Sequence, residues 1–118
     1  MQQRLRLRRP ADFARLRREG TAFHDRVLLL SVAPNDLPHN RYGFVTSKAL
    51  GNAVTRNRAR RQLREAIRRH HPSLRPGHDI VLVGKRAIVG QPLDPISRIV
   101  YKLAVRANLV VSPGEDQS

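Results

Sequence analysis

The residues best suited to chemistry lie between Thr55 and Arg69, where the chain reads TRNRARRQLREAIRR. At about 100° per residue, Ala59, Leu63, Ala66 and Ile67 fall on one side of a helix. Asn57, Arg60, Arg61, Arg64 and Arg68 fall on a neighbouring arc, where spacings of three, four and seven align their heads into a cationic ridge. A single carboxylate, Glu65, stands beside it. Like charges so spaced repel by roughly a few tenths of a kcal/mol per pair in isolated helices, and a bound polyanion would remove that repulsion. A solvated arginine face is the plainer reading of such a run. The near absence of acidic partners favours nucleic acid instead.

Other chemistries find little support. A protein nuclease gathers carboxylates around two metals, yet Asp12, Glu19, Asp25, Asp36, Glu65, Asp79, Asp94, Glu115 and Asp116 are scattered. His24, His39, His70, His71 and His78 have no metal-ligand spacing, and His70 and His71 are assigned to the helix dipole or to solvent. Gly51 and Gly90 are isolated, so no glycine-rich phosphate loop is formed, and Gly84-Lys85-Arg86 is only a weak phosphate signal. Without cysteine there is no disulfide, thiolate nucleophile or cysteine-based zinc site. No catalytic residue and no metal ligand is therefore expected in the chain.

Composition points the same way. The chain has 118 residues, which suits a single domain over 1–118 with one shared core. Its 23 Lys and Arg against 9 Asp and Glu leave a net charge of +14. Lys48, Lys85 and Lys102 are the only lysines. That arginine bias suits phosphate recognition and base stacking, and a GC-rich genome would produce it equally. No stretch approaches the roughly 20 apolar residues of a spanning helix. Met1 to Pro10 lacks the apolar region of a secretory signal. A cytoplasmic protein is expected.

The elements that must position the arginine ridge can be read from pattern. Pro10 to Glu19 is predicted as a helix with Phe13 and Leu16 on one side and Gly20 as its stop. Val27 to Val32 and Arg41 to Ser47 are read as neighbouring strands, separated by the turn formers of Pro34 to Asn40. After Gly51 and Asn52, the polar helix runs from Ala53 to His70, and Pro72 closes it. Pro76 and Gly77 form a turn before a strand over Ile80 to Val83. Asp94 and Pro95 are read as N-cap and first turn of a last helix, with Ile96, Ile99, Val100, Leu103 and Ala107 inward. Pro113 to Ser118 are expected as a disordered tail. The order gives an α+β fold, three helices on a small sheet. A strand precedes the basic helix, which argues against a helix-turn-helix.

The stretch Ser47 to Arg68, SKALGNAVTRNRARRQLREAIR, closely resembles the signature of the bacterial ribonuclease P protein component. Its specific part is Arg56-Asn57-Arg58 after Gly51-Asn52-Ala53-Val54. The resemblance extends to a first helix bearing a ring like Phe13, a glycine like Gly20, a strand like Tyr42 to Ser47, and a closing helix. It implies a small mixed sheet packed with three helices, an αβββαβα sandwich with a left-handed βαβ crossover, against the usual hand.

The resemblance also implies a role. The protein would bind a catalytic RNA subunit and the 5′ leader of precursor tRNA, assisting magnesium-dependent endonucleolytic removal of that leader. The RNA subunit would hold Mg2+ and carry the chemistry, and no membrane or stable protein partner would be needed. Carried onto this chain, the RNA-binding residues are Lys48, Arg56, Asn57, Arg58, Arg60, Arg61, Arg64 and Arg68. Phe13, Asn57, Arg60 and Arg64 are assigned to the leader cleft, with Arg58 and Arg69 turned toward the catalytic RNA. Phe13 is read either as a ring that stacks on a base or as plain core. Alignment through Gly20 places Arg17 and Ser31 where some relatives carry rings, so the cleft is expected to hold leader mainly by charge. A structural or ribosomal RNA-binding protein, a DNA binder and an independent nuclease are the rival classes.

Overall fold

The computed structural model describes residues 2–111. The expected tail over 113–118 lies outside them. Helix α1 spans Pro10–Glu19, with Pro10 opening its first turn. Gly20 ends it because its amide donates to the Leu16 carbonyl over 2.8 Å, and a Cβ there would sit 2.5 Å from that same oxygen. Four strands follow, interrupted by a helix: β1 Thr21–His24, β2 Leu28–Pro34, β3 Arg41–Thr46 and β4 His78–Gly84. Helix α2 spans Ala53–His70 between β3 and β4, and α3 spans Leu93–Arg106.

The sheet order is β1-β2-β4-β3. β2 pairs antiparallel with β4, placing Leu30 opposite Leu82, and β3 pairs parallel with β4, placing Phe44 beside the same residue. Strands β2 and β3 are neighbours in the chain but not in the sheet. β4 lies between them, because a parallel partner for β3 needs a crossover, and α2 supplies it. β1 escapes a reading by pattern: it has four residues, and only Phe23 among them is even half-buried.

Apolar packing divides between the two faces of the sheet, where one shared core was expected. On one face Leu28, Leu30, Tyr42, Ile80 and Leu82 pack with Leu63 and Ile67 of α2 and Ile96, Val100 and Leu103 of α3. On the other, Leu7, Leu16, Ala33 and Val81 form a smaller cluster under α1, with Phe13, Val45 and Val83 at its margin. Alternation along each strand produces this split, since successive side chains point to opposite faces. The stripe predicted for α2, Ala59, Leu63, Ala66 and Ile67, is the set that is buried.

Two local readings need correction. α3 begins at Leu93, so Asp94 lies inside its first turn rather than at the cap. There its charge faces the helix dipole favourably, and it accepts from Arg69 Nη1 over 2.9 Å. His70 and His71 are not left to dipole or solvent. His70 Nε2 lies 2.9 Å from Ser97 Oγ and His71 Nδ1 lies 2.6 Å from the Tyr42 hydroxyl, tying the end of α2 to α3 and β3. Burial pushes that tyrosine hydroxyl up to about 12.

Candidate nucleic-acid interface

Helix α2 starts from a built entry. Ser47 Oγ accepts from the Ala49 amide, a 3-10 turn covers Lys48–Leu50, and Gly51 turns the chain at φ 131°. Asn52 Oδ1 then caps the Thr55 amide over 2.9 Å. No acidic residue occupies the first turn. Arg56 and Arg58 therefore add charge to the positive end of the dipole instead of neutralising it.

The pairing of α2 arginines divides them into two groups. Arg68 is bound to Glu65 through Nε at 2.9 Å, and Arg69 to Asp94. The bond to Arg68 holds the Glu65 carboxyl below its ordinary range, and the bond to Arg69 does the same for Asp94. Arg58, Arg61 and Arg64 have neither hydrogen bond nor ion pair among the described residues, and Arg60 has only neutral partners: Asn57 Oδ1 and Thr46 Oγ1, each at 2.9 Å. Arg64 lies over the ring of Phe44, 5.7 Å from its centroid. Burial and the charges of Arg6 and Arg60 hold its guanidinium below the ordinary arginine value. Asn57, Arg60, Arg61 and Arg64 line one shallow concavity of about 430 Å³ with the exposed Val54.

The second feature is an apolar cleft of about 510 Å³ between α1 and the sheet, lined by Phe13, Leu29, Val45, Val81 and Val83. Arg17 and Ser31 line it too, and Phe13 is the single aromatic among its walls. The Phe13 ring sits on Gly43: a Cβ there would come within 2.8 Å of Phe13 Cζ. Phe13 thus packs against β3 with one side and leaves another in the cleft, half-buried.

Strand β3 divides the two features. Thr46 and Phe44 face α2, while Gly43 and Val45 face α1, so Phe13 and the trio Asn57, Arg60 and Arg64 flank the strand from opposite sides. Lys48 is exposed in the turn before α2, and Arg56 is half-buried on its sheet-facing flank. Arg58 lines a different concavity, with Arg61, Gln62, Glu65 and Leu93. Lys85, part of the weak phosphate signal, donates to the Asp25 carbonyl over 2.7 Å and so braces the β1–β2 turn.

Reading by residue type overlooked Arg6. The signal was there: Arg4-Leu5-Arg6-Leu7-Arg8 alternates with the period of a strand. Among the described residues, no three His, Asp or Glu side chains are grouped to hold a metal ion. No described helix is long and apolar enough to cross a membrane.

Comparison with known proteins identifies the family and agrees with the fold. The family model described as Ribonuclease P matches residues 1–108. The ribonuclease P protein component of Roseiflexus sp. is 39% identical, over 100% of this chain and 98% of the relative. That of Chloroflexus aggregans is 40% identical over 92% of this chain and 81% of the relative. Among solved structures, the Staphylococcus aureus RNase P protein superposes with a TM-score of 0.82 at 26% identity, covering 91% of this chain and 98% of that one. The Thermotoga maritima RNase P protein gives 0.79 at 25% identity, covering 86% and 96%.

Proposed function

The chain belongs to the bacterial ribonuclease P protein-component family, and on that premise we propose that it binds the catalytic RNA subunit and the 5′ leader of precursor tRNA. The holoenzyme of which such a component is a subunit is an endoribonuclease, acting in tRNA processing. In this reading the RNA subunit carries the catalytic centre and holds Mg2+, and the protein works in the cytoplasm. Among the described residues no three His, Asp or Glu side chains are grouped to hold a metal ion, so the reading assigns Mg2+ to the RNA.

The observation that carries the proposal is where the negative charge goes. Asp79 is buried with Arg15 and Arg41, Asp25 takes Lys102, Asp94 takes Arg69, and Glu65 takes Arg68. The arc of Asn57, Arg60, Arg61 and Arg64 receives no carboxylate among the described residues. A row of guanidiniums fixed by a buried stripe and left without anions is a receptor for phosphates. The protein's part is to neutralise phosphate repulsion and position the leader along β3. The apolar cleft with its single ring accepts a leader base without demanding a particular one, so charge dominates and binding falls steeply with salt.

The test is cleavage of precursor tRNA at low magnesium by a ribonuclease P RNA, with and without the purified protein. The expected result is marked stimulation by the protein and no cleavage by the protein alone. Absence of stimulation overturns the reading, and cleavage without RNA would establish a protein nuclease.

A further inference from the structure

β3 is the outer strand of the sheet, and the N-terminal segment docks on its free edge. Arg6 forms a parallel bridge with Tyr42, and the Leu7 amide donates to the Tyr42 carbonyl over 2.7 Å. Bridged residues share a side of the sheet. Arg6 therefore lies on the face of Tyr42 and Phe44, which α2 covers, while Leu7 is buried with Leu16 and Val81 on the other. Arg60 and Arg64 reach the same strand from above, at Thr46 and Phe44. The three guanidiniums come close enough for Arg6 and Arg60 to disfavour the charge on Arg64. None of them has an acidic partner among the described residues.

One more donor points to a missing acceptor. Arg56 stands one turn before Arg60 on the same flank of α2, and its Nε is buried without a hydrogen-bond partner among the described residues. Buried donors are ordinarily paired, and an unpaired one calls for an explanation. A bound oxyanion would accept from guanidinium forks in the geometry arginine favours. The ring of Phe44 beneath Arg64 excludes water from one side, which strengthens charge interactions there.

We propose that Arg6, Arg60 and Arg64 form a phosphate-binding notch at the edge of β3, with the N-terminal segment as one wall, and that its ligand is an RNA phosphodiester. The inference rests on the RNA-binding reading above and adds a residue and a segment to it. The phosphate belongs either to the leader or to the catalytic RNA. Arg6 is a binding residue here, not a brace: without an anion it only repels Arg64.

Thermal unfolding of the full chain with and without inorganic phosphate tests this on wild type, Arg6→Gln and Arg6→Lys. Without phosphate, R6Q is expected to melt at or above wild type, since it loses a repulsion. With phosphate, R6Q should show less than half of the wild-type rise in Tm, and R6K most of it. A rise in R6Q equal to that of wild type, or a lower Tm without phosphate, overturns the proposal. The salt dependence of binding then identifies the source, with the RNA subunit in one arm and leader-bearing precursor tRNA on the holoenzyme in the other. R6Q should lower the log–log slope by about 0.7 in one arm. No change in either arm overturns the notch, whereas failure of the wild type to bind either RNA overturns the earlier reading instead.

Discussion

Two arginine clusters in this small protein have opposite fates. Arg15 from α1 and Arg41 from β3 converge on Asp79 of β4, a carboxylate with 0% exposure, and Asn35 donates to the same group. Arg41 reaches it through two bonds, at 2.9 and 2.7 Å. On the other side of β3, Arg60 and Arg64 receive, among the described residues, only Thr46, Asn57 and the ring of Phe44. The residue type is the same, and the burial is only modestly different. What separates the two clusters is whether the fold delivers a buried carboxylate to their arginines.

The sharpest way to break that distinction is Asp79→Ala. It leaves Arg15 and Arg41 facing a buried site with only the longer contacts to Glu19, at 3.8 Å, and Asp12, at 3.5 Å, as counter-charge, and removal of one partner of a buried pair costs about 3–5 kcal/mol. Urea unfolding should register this as a large fall in midpoint, and a change within about 0.5 kcal/mol, as at an ordinary surface position, would erase the difference between the clusters.

Acid separates them next. Burial pushes the Asp79 carboxyl up, but the bonds from Arg41 and Asn35 and the charges of Arg41 and Arg15 outweigh it and hold the group below its ordinary value. A carboxyl depressed on folding contributes stability above its unfolded value of about 3.9, and that contribution disappears as pH falls through the folded value. The wild-type urea midpoint should therefore drop below about pH 4, and Asp79→Asn should flatten that limb. Asp25, lowered by the Val27 amide and Lys102, leaves a smaller residual slope. The arc around Arg64 has no carboxylate partner among the described residues and adds nothing to it.

At the arc itself, Arg60→Ala and Arg64→Ala should weaken leader-bearing precursor tRNA about tenfold, the scale of one hydrogen bond to a charged group. Mature tRNA should lose less, and an equal loss for both would remove the arc from the leader's path. Arg64→Ala should cost less than about 1 kcal/mol of stability, the scale of its contact with Phe44. The smallest effect belongs to Arg68→Ala, because Glu65 already occupies that guanidinium. Its RNA affinity, measured beside Arg64→Ala at the same salt, should fall least, and a loss as large as that of Arg64→Ala would show that pairing does not decide function.

Much of this was readable along the chain. Helices α1 and α2 fall where proline, glycine and apolar spacing place them, and the α2 stripe is correct residue by residue. β1 was not readable, since an exposed four-residue edge strand carries almost no alternation. The pairing of Arg68 with Glu65 lies within one helical turn and could be anticipated, but that of Arg69 with Asp94 spans 25 residues. Asp79 gave no hint of its role, because its partners come from α1, from β3 and from the loop after β2.

The sequence by itself determined the arginine arc and the apolar stripe that aims it, because both are properties of one helix and its 3.6-residue period. It also carried the family, through Arg56-Asn57-Arg58 and the residues around it. Only the tertiary structure decided which of the described arginines pair with carboxylates, that Phe13 and the arc lie on opposite sides of β3, and that Arg6 returns to Tyr42 at the edge of that strand. Those depend on sheet order and register, which join residues far apart in the chain, and local periodicity holds no record of such distances.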